Sequence, residues 1–76
     1  MAANQQAVII EHCGGWGYAP KATRLVEVIQ NETGLQASTF AGRTGSYEIK
    51  YGDKLIYSKL STGQFPTDEE ILAALK

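Results

Sequence analysis

Cys13 is the one sulfur nucleophile in the chain, and its neighbours suit it to exchange chemistry. It closes the β-branched run Val8-Ile9-Ile10-Glu11-His12 and opens the loop Cys13-Gly14-Gly15-Trp16-Gly17-Tyr18. The thiolate is the reactive form of a cysteine, and backbone amides converging where a strand turns into a helix favour that anion. Glycines at 14, 15 and 17 would let a second sulfur-bearing molecule approach the backbone closely. The expectation is an exposed thiol that exchanges with disulfides. The competing reading of the same residue is an inert, small hydrophobe at a strand end. With no second cysteine, exchange must stop at a mixed disulfide with a thiol from outside. His12 adjoins Cys13, but neighbours on a strand point to opposite faces, so a Cys-His pair would require a bend.

The elements that would hold this loop are readable from periodicity. Residues 7–12 form a buried first strand, apolar enough to be covered on both faces. Pro20 fits the first turn of a helix, and Ala22, Leu25, Val26 and Ile29 follow on one face, giving a helix over residues 20–32 with Gly34 as its left-handed cap. Residues 35–40 make a second strand, parallel to the first through a right-handed crossover. Residues 41–45 are a loop. Residues 46–51 alternate, Gly52-Asp53 signals a hairpin, and residues 54–58 complete it. Tyr47, Ile49 and Tyr51 share one face as packing residues, with hydroxyls reaching the edge. A loop over 61–64 precedes Thr67-Asp68-Glu69-Glu70, a capping box that starts a last helix carrying Ile71, Leu72 and Leu75. The order β-α-β-β-β-α describes an α/β sandwich with a four-stranded mixed sheet and two helices on one face.

Composition narrows the partners. In 76 residues, a net charge of -1 without a Lys/Arg cluster gives no footprint for nucleic acid or an anionic membrane. No apolar run is long enough to span a bilayer. Residues 1–6 lack the pattern of a secretory signal and read as a short disordered lead before a single domain over 7–76. A lone cysteine argues against the disulfide framework of a small secreted domain, so a cytoplasmic setting is expected. Cys13, His12 and the scattered carboxylates supply no metal-ligand spacing.

Four segments in order resemble the selenoprotein W-like (Rdx) family. The Cys13–Tyr18 loop is similar to the family's Cys-x-x-Sec-Gly-Tyr motif. Gly45-Ser46-Tyr47-Glu48-Ile49 resembles Gly-x-Phe-Glu-Val, Lys54-Leu55-Ile56-Tyr57-Ser58-Lys59 resembles Lys-Leu-Ile-x-Ser-Lys, and Gly63-Gln64-Phe65-Pro66 resembles Gly-x-Phe-Pro before the last helix. The match covers about residues 7 to 75. It implies a thioredoxin-like fold and glutathione-dependent thiol or peroxide chemistry, with regulatory protein partners. Cys13 and residue 16 would be the reacting positions, and Gly14, Gly15, Gly17 and Tyr18 would contact glutathione; Arg43 would pair with the Cys13 thiolate or a glutathione carboxylate or else be a solvated surface arginine, and Lys21 stands with it. Glutathione would be a co-substrate, and no resident cofactor or metal is implied.

Trp16 departs from this pattern, because it occupies the position of selenocysteine or a second cysteine, and indole neither attacks peroxide nor forms a disulfide. Two origins stand: readthrough or reassignment of a UGA codon, or a native tryptophan that packs beside the loop or marks a partner-binding patch. A plain UGG codon would exclude the first. A rival to redox chemistry follows: a non-catalytic adaptor that binds a partner protein through the loop 14–18 and Phe65, with Cys13 as an oxidation-sensitive switch. Phe65 itself reads first as a contact toward Ile71 or the sheet.

Overall fold

The computed structural model describes residues 7–15 and 17–75. The element order is β1 (Val8–Cys13), α1 (Tyr18–Thr33), β2 (Ala37–Gly42), β3 (Tyr47–Tyr51), β4 (Lys54–Ser58), the one-turn α2 (Lys59–Thr62) and α3 (Asp68–Ala74). The sheet runs β2-β1-β3-β4, with β1 parallel to β2 and antiparallel to β3. This is the expected mixed four-stranded sheet, with a third, short helix where the sequence suggests a loop. Among the described residues, no helix is long and apolar enough to cross a membrane.

The core lies on one face of the sheet. Val8 and Ile10 of β1 and Tyr47 and Ile49 of β3 meet Ala22, Leu25 and Ile29 of α1 and Ile71 of α3. Each fully buried isoleucine contributes roughly 1.5–3 kcal/mol by leaving water. The opposite face is the more open one. Ile9 and Glu11 on it are half-buried, so β1 is buried fully on one face and partly on the other.

Helix α1 begins two residues before Pro20, which takes the third helical position. A proline there costs no hydrogen bond, because the first amides of a helix lack acceptors in any case. Gly17 caps the helix in the left-handed conformation (φ 74°) without a side-chain bond, and Gly34 closes it (φ 75°) with its N–H on the Gln30 carbonyl. The second strand starts at Ala37 rather than Leu35. The Thr33 hydroxyl donates to the Ile29 carbonyl (2.6 Å) and accepts the Leu35 N–H (3.1 Å), which holds Leu35 in the helix exit. The strand then runs on through Ala41 and Gly42, which pair with His12 and Cys13. The Thr67–Glu70 capping box forms as its sequence predicts.

Gly17 and Gly15 provide a test of the loop backbone. A Cβ at either would meet nothing within 4 Å, but only Gly17 has a positive φ. Gly17→Ala should therefore lower stability by about 1 kcal/mol and Gly15→Ala by roughly half of that or less. Urea denaturation checks this, and equal losses would contradict the left-handed cap.

Candidate functional site around Cys13

The sulfur of Cys13 lies where β1 ends between two turns. One is the glycine loop that follows it, and the other is the β2–β3 connection. The Gly45 and Gly15 backbone amides favour its thiolate, and the Lys59 ammonium adds its positive field. Together they outweigh the cost of burial and hold the thiol below the ordinary value of 9.0. The amides expected to converge on the anion are present, but they come from two turns and not from the amino end of α1. Exposure is the point on which the sequence reading is corrected: Cys13 is only 3% exposed. Strand alternation breaks at the β1 terminus, where His12 and Cys13 are both covered. Gly14, Gly15 and Gly17 in the loop that follows are themselves exposed.

The position of Gly45 traces back to a carboxylate. Glu11 accepts the Arg43 backbone N–H (2.8 Å) and its guanidinium at two points, Nε at 2.8 Å and Nη2 at 3.0 Å. The Glu11 side chain lies so close over Gly42 that a Cβ there would overlap it. Next along the chain, the Arg43 carbonyl accepts both the N–H (3.1 Å) and the hydroxyl (2.6 Å) of the fully buried Ser46. That turn contains Gly45 at φ 76°, a backbone conformation that favours glycine. The Ser46 carbonyl then accepts the Cys13 N–H at 2.9 Å. Arg43 thus serves the site from the open face as an exposed surface arginine clamped on Glu11, which is the alternative to its pairing with the Cys13 thiolate. Its hydrogen bonds and charge bring the Glu11 carboxyl down to about 2.

A second carboxylate fixes Lys59. Glu48, directly opposite Glu11 across the β1–β3 ladder, is buried. Burial works against its charge, but the Ser58 hydroxyl and the Leu60, Tyr47 and Lys59 amides outweigh it and lower its pKa. These bonds tie the β4–α2 junction to β3. Lys59 leaves that junction to lie 5.5 Å from the Tyr18 ring centre and 5.2 Å from that of Phe65.

Phe65 belongs to the site side of the molecule. It packs on Tyr18 (4.9 Å between centroids) and Tyr47 (5.1 Å), and remains 36% exposed. Tyr57 anchors its loop by donating to the Gln64 carbonyl at 2.8 Å. Lys21, Arg24, Tyr47, Phe65 and Asp68 line a cleft of about 220 Å³. Tyr47 is buried there rather than edge-exposed, and burial pushes its phenol up to about 12. Arg24 is held by Asp68 through two bonds, 2.8 and 3.3 Å. His12 stands apart from the thiol: its buried ring donates from Nδ1 to the Cys13 carbonyl at 2.9 Å, an atom that can only accept. Trp16 lies outside the described residues, as do residues 1–6.

The Rdx family profile matches residues 7–76. The chain belongs to the Rdx family. It is 27% identical over 70 residues to migration and invasion enhancer 1 of Mus musculus and 26% identical to that of Bos taurus. Each alignment covers 91% of this chain but 61% of the relative, so the chain spans about three-fifths of their length. Among solved structures, the selenoprotein W-related protein of Vibrio cholerae superposes with a TM-score of 0.85 at 16% identity, covering 95% of this chain and 94% of that one. A protein of Bordetella parapertussis gives 0.86 at 15% identity, covering 95% of both. Both share the selenoprotein W-type, thioredoxin-like fold.

Gly45 and Lys59, which act on Cys13, and Glu11, Ser46 and Glu48, which place them, are site residues that local reading of this Rdx chain does not single out. Gly45 and Lys59 both fall inside segments that carry the family resemblance, and their proximity to Cys13 depends on tertiary contacts. The clamp makes a prediction. Glu11→Gln should cost about 1 kcal/mol of stability, a charge-assisted interaction discounted for the exposed arginine. Because the folded carboxyl titrates near 2, below its ordinary 4.5, this contribution is complete above 4.5 and disappears as pH falls toward 2. Acid unfolding of the variant should lose that pH dependence. Gly45→Ala should shift the pH profile of Cys13 alkylation upward, and an unshifted profile would remove the Gly45 amide from the account.

Proposed function

We propose that this Rdx protein works by thiol–disulfide exchange at Cys13. The carrying observation is the set of groups aimed at its sulfur, the Gly45 and Gly15 amides and the Lys59 ammonium, which favour the nucleophilic anion. Family membership supports a thiol-redox role. In the forward step the Cys13 thiolate attacks one sulfur of a disulfide such as oxidised glutathione. A Cys13 mixed disulfide forms, the original S–S bond breaks, and the departing thiolate takes a proton from water. A second thiol from glutathione or a protein then reverses the linkage. Because the sulfur is covered, the backbone at Gly14 and Gly15 must move for the incoming disulfide. Residue 16 is the family's selenocysteine or cysteine position, and a selenol or thiol there would supply the peroxide-reactive atom that tryptophan does not.

A second reading rests on Phe65, which is exposed beside Tyr18 at the edge of the cleft. On that reading the site docks a partner protein, and Cys13 oxidation modulates the contact. The expected setting for either role is the cytoplasm.

Incubating the protein and its Cys13→Ser variant with oxidised glutathione near neutral pH, followed by mass measurement, distinguishes these readings. Exchange predicts one glutathione adduct on the native chain and none on the variant, reversed by dithiothreitol. An unmodified native chain would eliminate exchange and leave the docking role. Peroxide consumption should be negligible with Trp16 and should appear when residue 16 is selenocysteine or cysteine.

A further inference from the structure

The rim of the Cys13 site carries more positive charge than its own carboxylates neutralise. Arg24 is satisfied by Asp68 and Arg43 by Glu11. Lys21 and Lys59 have no ion-pair partner among the described residues. Both instead lie against one ring: Lys21 Nζ is 5.0 Å and Lys59 Nζ 5.2 Å from the Phe65 centroid. The two ammonium groups are therefore no more than about 10 Å apart, within roughly one screening length of each other. The ring face offsets part of their mutual repulsion. Lys21 is exposed and Lys59 half-buried, so of the two charges a carboxylate would meet there, that of Lys59 is the less screened by water. Phe65 and Pro66 give that anion an apolar floor, and burial, which pushes the Tyr47 phenol up to about 12, keeps it from adding negative charge near neutral pH.

We propose that Cys13 exchanges preferentially with small disulfides bearing carboxylates, and that Lys59 and Lys21, both lying over the Phe65 ring, are the residues that select them. This rests on the exchange reading above and specifies its substrate. The Cys13 thiolate displaces one half of the disulfide as a thiolate, which water protonates, while the carboxylate of the retained half stays beside the lysines. No further oxidant or reductant enters the step. Lys59 serves twice, since the same ammonium stabilises the attacking sulfur.

Three disulfides of similar size separate charge from access: anionic dithiodipropionate, neutral bis(hydroxyethyl) disulfide and cationic cystamine. Rates of mixed-disulfide formation are measured for the folded chain and, as reference, for the same chain in urea. Folding should raise the preference for dithiodipropionate over cystamine by about fivefold or more at low salt, and added salt should reduce it. The Lys21→Met, Lys59→Met double variant should return the ratio to its unfolded value, and Lys21→Arg with Lys59→Arg should preserve it. Because a ratio is read, a general change in Cys13 reactivity cancels. Equal ratios in folded and unfolded chains, or a ratio that survives the double methionine variant, would overturn the charge selection and leave exchange standing. Failure of all three reagents to modify the folded chain would overturn exchange itself, and the selection with it.

Discussion

Glu11 lies across Gly42 and holds Arg43 by three hydrogen bonds, and the order of the Cys13 site descends from that contact. The clamped arginine presents its carbonyl to Ser46, the turn so closed contains Gly45, and the Gly45 amide faces the sulfur. Each link is local, yet the chain of links joins the open face of the sheet to the thiol at its end. Glu48 does the equivalent for Lys59 on the other side. Two adjacent carboxylates would repel across a ladder if both were bare. Here each is supplied with its own donors, and each organises one of the groups that act on Cys13.

Cover and activation of the thiol have the same source. The turns that bring amides to the sulfur also exclude water from it, which leaves Cys13 nearly unexposed while still favouring its anion. An amide aimed at a sulfur under partial cover interacts more strongly than one in open water. On the loop side, Gly14 and Gly15 follow the cysteine directly and present no side chains to displace. Reactivity then depends on how readily that short segment moves, and selectivity on the lysine and aromatic rim beyond it.

Much of this was legible in the chain. The alternation of Tyr47, Ile49 and Tyr51, the Gly52-Asp53 hairpin and the Thr67–Glu70 box specify their elements by local chemistry, and the structure contains all three. Helix α1 starts two residues before the point Pro20 suggests, because proline favours the first helical position but the third tolerates it equally for want of an acceptor. The short helix Lys59–Thr62 was missed because one turn has no periodicity to read; Ser58 capping Ser61 and the Gly63 terminus define it. For the site, Cys13 and its glycine loop announced themselves, but its exposure did not follow, because burial at a strand end is decided by the β2–β3 turn. Arg43 looked like a free cation until the fold placed Glu11 beside it, 32 residues away in sequence.

The state of the Cys13 sulfur tests the account most directly. Its titration is read from thiolate ultraviolet absorbance, as the difference between the native chain and Cys13→Ser so that tyrosine signals cancel. The converging amides and Lys59 require a midpoint clearly below the ordinary thiol value of 9.0. A midpoint at or above that value would mean that burial outweighs them and that the site does not activate its cysteine.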